Sequence, residues 1–137
     1  MHQKFIINTD GGARGNPGPA GIGAVIKDGY GRLIGQHKKY IGKATNNTAE
    51  YKALILALEE AHKLKATQLQ INMDSELVVR QMQGRYKIKE PGLKVLAQEA
   101  IRLIGKFKKV DFRHVPREQN CEADKLVNEA IDASSLK

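Results

Sequence analysis

The sequence predicts an α/β fold: one mixed five-stranded sheet, with three antiparallel strands followed by two parallel ones, flanked by helices. Three observations predict it. Residues 4–10 and 68–74 alternate with a period of two, and each run finishes on an aspartate. Short turn-rich links separate the first three strand-like runs, which favours hairpins. From residue 45 onward, helical stripes and strand-like runs complete the order βββ-α-β-α-α-β-α, with the first strand read as parallel to the fourth.

In residues 4–10 (KFIINTD), Phe5, Ile7 and Thr9 share one parity, and Ile6, Asn8 and Asp10 the other. Residues 11–21 (GGARGNPGPAG) read as a rigid, turn-rich loop, because Gly permits positive φ and Pro fixes its own. A second strand is expected over 22–27, a turn over 28–31 (DGYG) and a third strand over 32–41. Residues 45–66 form a helix whose N-cap candidates are the TNNT of 45–48. Its apolar stripe is Ala53/Leu54, Ala57/Leu58, Ala61 and Leu64. In the strand at 68–74, Leu69, Ile71 and Met73 take one face, and Gln70, Asn72 and Asp74 the other. A short helix over 75–83 is stopped by Gly84. A basic connector follows at 85–90 (RYKIKE), and Pro91 opens a helix to about residue 105. The fifth strand spans 109–115 (KVDFRHV), residues 116–120 (PREQN) form a loop, and a last helix runs from about 121 to 133. No internal repeat and no long linker interrupts this order, so residues 1–137 are read as one domain.

Composition narrows the functional classes. With 41% hydrophobic and 28% charged residues, the 137-residue chain is an ordinary globular one, long enough to bury a core. No stretch approaches the ~18 apolar residues of a membrane span, and the first residues enter a strand-like run at once, so no secretory leader is expected. Cys121 is the single cysteine, which excludes intramolecular disulfides and multi-cysteine metal sites; a cytoplasmic location is the default. The net charge of +8 suits a polyanionic partner, although solubility alone explains such a charge equally well.

Four acidic residues stand apart. Asp10 and Asp74 each finish a strand, and if those strands are parallel neighbours their carboxylates meet at one sheet edge. Singly, each is an ordinary turn or helix-capping aspartate. Glu50 shares a helix face with Leu54, Ala57, Leu58 and Ala61, and a carboxylate in a buried stripe costs several kcal/mol unless it is paired, protonated or metal-bound. A first-turn position favours a Glu through the helix dipole, but that explains its place along the axis and not its orientation. Asp124 borders the stripe of Ala123, Leu126, Val127, Ala130 and Ile131 near the start of the last helix. Acids gathered at one edge repel and raise each other's pKa. The usual relief is a hard divalent cation, commonly Mg²⁺. Two such ions about 4 Å apart activate water and stabilise the leaving oxygen of a phosphodiester. No His/Cys cluster has zinc spacing, and His2 and His37 look like surface residues.

Four blocks carry a resemblance to a known family: NTDGGARGNPGPAGIG (8–23), TNNTAEYKALILAL (45–58), DSELVVRQMQG (74–84) and HVPREQNCEAD (114–124). In order and spacing they resemble the type 1 ribonucleases H, particularly the compact subgroup related to archaeal and retroviral forms, and the resemblance covers essentially the whole chain. It implies a ribonuclease H-like fold and a monomeric endonuclease that cuts the RNA strand of RNA–DNA hybrids, leaving 5′-phosphate and 3′-OH ends. Two Mg²⁺ ions are implied, with Mn²⁺ as the alternative. The family's D-E-D-D metal set falls on Asp10, Glu50, Asp74 and Asp124, and Glu50 would also touch the 2′-OH beside the scissile phosphate. Asn16, Asn46 and Asn47 fall where the family contacts the hybrid's minor groove, and Thr45 where it grips a DNA phosphate. Polar amides suit that readout, because the 2′-OH both donates and accepts.

Two departures stand out. Many bacterial relatives carry a basic helical protrusion where this chain has only residues 84–92. We read Arg85, Lys87 and Lys89, set around Tyr86 and Ile88, as a reduced grip on the DNA strand, against the plainer reading of a solvated loop. Glu76 stands where many relatives have a neutral amide. Many relatives also use a mobile histidine for product departure. Here His114 lies in a strand-like run and is expected to be packed, so Arg117, in the flexible PREQN loop, is expected to meet phosphate instead. A hybrid-binding module that does not cut would lack a carboxylate, and all four are present. A DNA-cutting nuclease of the same fold is disfavoured by the Thr45–Asn47 block. A dinucleotide site would need its Gly-rich loop to lead into a helix, not into a strand.

Overall fold

The computed structural model of the protein describes residues 3–134; the expectation for His2 lies outside the described residues. The elements are β1 (Lys4–Ala13), β2 (Gly18–Asp28), β3 (Leu33–Ala44), α1 (Asn46–Lys63), β4 (Gln68–Met73), α2 (Glu76–Met82), α3 (Pro91–Ile104), β5 (Lys109–His114), a 3₁₀ turn (Arg117–Gln119) and α4 (Cys121–Ser134). They form one sheet in the order β3-β2-β1-β4-β5. β1 and β3 run antiparallel to β2, whereas β1/β4 and β4/β5 are parallel, as the sequence predicts.

Alternation along β2 sorts the two faces of the sheet. Ile22, Ala24 and Ile26 pack with the α1 side, while Val25 packs with Ala123 and Leu126 of α4. The main core lies on the α1 side, where Tyr51, Leu54 and Leu58 of α1 meet Ile7, Ile71, Val78 and Ala97, all 2% exposed or less. Each fully buried Leu or Ile contributes roughly 1.5–3 kcal/mol through burial. Leu64 is not part of this core: it caps the C-terminus of α1 and is 39% exposed, because the chain turns away at Lys65 with φ +61°. His37 is half-buried, with Nδ1 3.6 Å from Glu60 Oε1.

Residues 11–21 are not the loop that their glycines and prolines suggest. Gly11, Gly12 and Ala13 pair with Ile22, Gly21 and Ala20, so both strands continue and only residues 14–17 turn. The glycines serve packing here. A Cβ at Gly11 would overlap the Ala49 backbone of α1, and one at Gly21 would lie 2.8 Å from Val127 O of α4. Both helices therefore lie almost on the strand backbones. Gly11→Ala is expected to cost about 1–3 kcal/mol, the usual range for overpacking, and a Tm equal to wild type in thermal melts would show that the helix–strand contact yields without cost. Gly84 behaves as predicted, taking φ +77° just after α2.

Candidate active site

The register of the parallel strands builds the site. Pairing of β1 with β4 ends at Thr9 and Met73, so Asp10 and Asp74 follow side by side at the carboxyl ends of adjacent strands. This is the edge where open α/β sheets gather their ligands. Asp10 lies just past that pairing but does not end the strand, because β1 continues and Asp10 itself pairs with Gly23 of β2. Asp74 does not cap α2; the Ser75 hydroxyl does, accepting from Val78 N at 3.3 Å. Asp74 thus has no capping duty.

Glu50 comes from the first turns of α1 and is 5% exposed. Its Oε1 accepts a short hydrogen bond from Gly11 N, the amide next to Asp10. Asp10, Glu50 and Asp74 each offer a carboxylate oxygen, and these atoms lie within 4.8 Å of one another. Asp124, on the first turn of α4, stands outside that trio, yet its carboxyl is within hydrogen-bonding reach of Asp10. All four acids line one open cleft of about 490 Å³, together with Asn46, Asn47, Arg14, Arg117 and Asn128.

Crowding has the expected electrostatic result. Burial first, then the charge of Asp74 and the contact with Asp124, push the Asp10 carboxyl up to about 7. Burial and the neighbouring charges of Asp10 and Asp74 hold the Glu50 carboxyl well above the usual range, against the opposing pull of the Gly11 amide. The contact between the two carboxyls lowers Asp10 and raises Glu50. Other acids dominate the charges that both groups feel, so this donor set is complementary to a hard cation.

The remaining residues named from the sequence divide into groups. Asn46 and Asn47 line the cleft, but Asn16 and Thr45 do not. Asn16 Oδ1 accepts from Asn46 N at 3.0 Å, and Asn46 Oδ1 accepts from Ala13 N at 2.8 Å; the pair locks the β1–β2 turn onto the start of α1. Thr45 caps α1, its Oγ1 accepting from Thr48 N at 3.2 Å. Arg85, Lys87 and Lys89 line a second groove with Tyr86 and Leu93, and Asn47 lines both this groove and the acidic cleft. Ile88 anchors the connector by packing on the core, and Gln81, itself bonded to the Tyr51 hydroxyl at 2.6 Å, donates to Lys87 O at 3.4 Å.

Two expectations are corrected. His114 is exposed instead of packed, because β5 is the edge strand of the sheet; its Nδ1 lies 3.8 Å from Glu76 Oε2. Glu76 also reaches Arg80 at 4.0 Å, so the acid that replaces a neutral amide is engaged with its own neighbours. The PREQN segment is not a plain loop, because Arg117–Gln119 form a 3₁₀ turn, and the Arg117 side chain lines the cleft.

Asn120 is a residue that sequence reasoning missed. It is 1% exposed, its Nδ2 donates to Thr9 O at 2.9 Å, and its Oδ1 accepts from Asn8 at 3.0 Å. Asn8 in turn accepts from Asn72, and Asn72 from Gln70, an amide ladder across three elements. Asn120 O also accepts from Asp124 N at 3.1 Å, so the residue ties the start of α4 to the strand that carries Asp10. Its position immediately before a helix was the available signal.

Comparison with known proteins agrees with this geometry. A family model described as reverse transcriptase-like matches residues 8–130. The chain is 47% identical over 133 residues to the bifunctional protein Rv2228c of Mycobacterium tuberculosis, a match covering 96% of this chain and 36% of that protein. The chain thus spans about a third of the length of the mycobacterial proteins that it matches. The solved N-terminal RNase H domain of Rv2228c, fused to maltose-binding protein, superposes with a TM-score of 0.94, covering 98% of this chain and 97% of that one. RNase H1 from the archaeon Halobacterium salinarum superposes at 0.93 with 40% identity, covering 95% and 98% of the two chains. LC11-RNase H1, solved in complex with an RNA/DNA hybrid, superposes at 0.91 with 50% identity over the same shares. Fold and sequence agree over nearly the whole length, and the chain belongs to the ribonuclease H family.

Proposed function

We propose that this chain hydrolyses the RNA strand of RNA–DNA hybrids, using two Mg²⁺ or Mn²⁺ ions and leaving 5′-phosphate and 3′-OH ends. The observation that carries the reading is the trio of Asp10, Glu50 and Asp74, with carboxylate oxygens within 4.8 Å at the end of two parallel strands. The likeness to LC11-RNase H1, a protein solved with a hybrid, supports the choice of substrate. When bound, the ions supply activated water and stabilise the leaving oxygen. The chain's own residues do the rest. Gly11 N orients Glu50, and Asn120 holds Asp124 against β1. The Asn46 and Asn47 amides face the cleft as readers of the minor groove, and Thr45 and Asn16 set the backbone from which they act. Glu50 doubles as the contact for the 2′-OH. The test is an end-labelled cleavage assay on matched hybrid, RNA duplex, DNA duplex and single strands, with and without Mg²⁺. Full activity in excess chelator would sink the metal mechanism, and equal cutting of a DNA duplex would sink the hybrid reading.

The groove lined by Arg85, Lys87 and Lys89 continues from the cleft through Asn47, which supports a grip on the DNA strand. Neutralising the three together is expected to raise KM, leave kcat nearly unchanged and lower the salt slope by about three, roughly one per phosphate contact. An unchanged slope would make the connector a solvated loop.

Arg117 lines the cleft and His114 does not. A guanidinium pairs with phosphate in two-pronged fashion but does not give up its proton near neutral pH, so the work of Arg117 is electrostatic. Arg117→Ala is expected to lower kcat by about tenfold, in line with the loss of a charge-assisted hydrogen bond. His114→Ala, on the exposed edge strand, is expected to shift stability by less than about 0.5 kcal/mol. A large kcat loss for His114→Ala, with Arg117→Ala nearly silent, reverses the assignment.

A further inference from the structure

Arg14 sits four residues beyond Asp10, at the turn between β1 and β2, and lines the same cleft as the carboxylates. Its guanidinium reaches across to α4. Nη1 pairs with Asp132 Oδ1 at 2.6 Å, and Nη2 donates to Asn128 Oδ1 at 3.3 Å. Asn128 in turn donates to the Asp124 carboxylate at 3.4 Å. One amide therefore separates Arg14 from an acid of the metal set. The backbone beneath it is firm, with Arg14 N donating to Pro19 O at 2.9 Å and the preceding amide held by Asn46.

A cleft walled by four carboxylates repels a phosphodiester, so cations must hold the substrate beside them. Among the described residues, Arg14 and Arg117 are the cations that line the cleft. They come from different elements, Arg14 from the β1–β2 turn and Arg117 from the turn before α4. The Arg14–Asp132 pair is about half exposed on the arginine side and more so on the aspartate side, at 48% and 66%. Exposed pairs of this kind contribute little, so a phosphate can replace the carboxylate at small cost. Arginine also suits the task, since five fixed N–H donors allow it to keep Asn128 while offering a fork to phosphate.

We propose that Arg14 binds a phosphate of the cleaved strand next to the scissile one, and that Asn128 and Asp132 hold its side chain ready when no substrate is bound. The proposal rests on the reading of this cleft as the site of hybrid cleavage, and it adds a substrate contact to that reading.

The test compares wild type with Arg14→Gln, Arg14→Lys and Asp132→Asn on one labelled hybrid, following KM, kcat, Tm and the dependence of KM on KCl. Arg14→Gln is expected to raise KM by about tenfold, the loss of one charge-assisted contact, and to lower the salt slope by about one. Arg14→Lys is expected to restore the slope but only part of KM, because an ammonium cannot reproduce the fork. Asp132→Asn keeps the positive charge and is expected to keep the wild-type slope. A scan of single methylphosphonates along the cleaved strand locates the contact: one position should weaken binding to wild type and have no further effect on Arg14→Gln. If Arg14 only fastens the turn to α4, Arg14→Gln and Asp132→Asn will lose the same Tm while KM and slope stay at wild-type values, and the proposal is overturned. It also falls if no methylphosphonate effect disappears in Arg14→Gln. Wild type that fails to cut hybrids overturns the functional reading itself, whereas active wild type with unaffected Arg14 variants overturns this inference alone.

Discussion

Glu50→Gln is expected to lower kcat on an RNA–DNA hybrid by more than about a hundredfold at saturating Mg²⁺ while the protein stays folded. The side chain keeps its shape and its acceptor oxygen for Gly11 N, so the helix–strand contact that places it survives. What disappears is one negative charge from the trio of Asp10, Glu50 and Asp74. Metal ions supply several kcal/mol of transition-state stabilisation in such sites, and 1.36 kcal/mol is tenfold in rate. Asp10→Asn and Asp74→Asn remove the same charge from the same trio and should fall as far. Asp124→Asn should be milder, because its carboxylate stands outside the trio. Single-turnover cleavage, with a thermal melt of each variant, separates chemistry from folding. A Glu50→Gln enzyme within a few-fold of wild-type kcat would remove Glu50 from its assigned role.

The same substitution at Asp10 is expected to stabilise the metal-free protein. The Asp10 carboxyl is pushed from 3.8 up to about 7, chiefly by burial, and the side chain is 7% exposed, so solvent screens it little. Because the folded state holds this proton more tightly than the unfolded chain, its contribution to stability is fully present below pH about 4. It is lost as pH rises through about 7. At 1.36 kcal/mol per pKa unit, the loss is on the order of 2–4 kcal/mol. In chelator at pH 7.5, Asp10→Asn should therefore melt at least ~5 °C above wild type. The gap should narrow sharply at pH 4.5, and adding Mg²⁺ should raise the Tm of wild type more than that of the variant. A variant that melts at or below wild type in chelator at pH 7.5 would contradict the picture of mutually repelling acids.

These two outcomes pull in opposite directions, as expected of a site whose residues are selected for chemistry. On the proposed reading, the acids cost the fold stability and a bound cation would offset that cost.

Much of the fold was legible in the residues. The alternation of 68–74, the stripe of α1 and the turn at 28–31 each reported local geometry, because periods of two and 3.6 are properties of the backbone. The acids were legible for a related reason: Glu50 interrupts an apolar stripe, and Asp74 closes a strand. The segment 11–21 was misread because glycine carries two meanings. It permits a turn, and it permits another backbone to approach; the contacts of Gly11 with Ala49 and Gly21 with Val127 are between residues far apart in the sequence. The expected packing of His114 failed because a strand pattern does not reveal whether the strand lies at the edge of the sheet.

The sequence by itself determined the element order, the parallel placement of β1 beside β4 and the family, and it singled out the four acids as candidates. Tertiary structure decided what those acids are to one another. Only the register that sets Thr9 opposite Met73 brings Asp10 level with Asp74. Only the close seat of α1 on Gly11 turns Glu50 toward them, and only the buried Asn120 ladder fixes the approach of α4. Arg14 became a candidate contact in the same way, through its reach to Asn128 and Asp132 on a helix more than a hundred positions away in the chain. The physical reason is that pattern along a chain reports each residue's own backbone, whereas coupling between charges falls with distance in space. Residues 10 and 50 acquire their shifted proton affinities only when folding removes the water around them and the distance that separates them from each other and from Asp74.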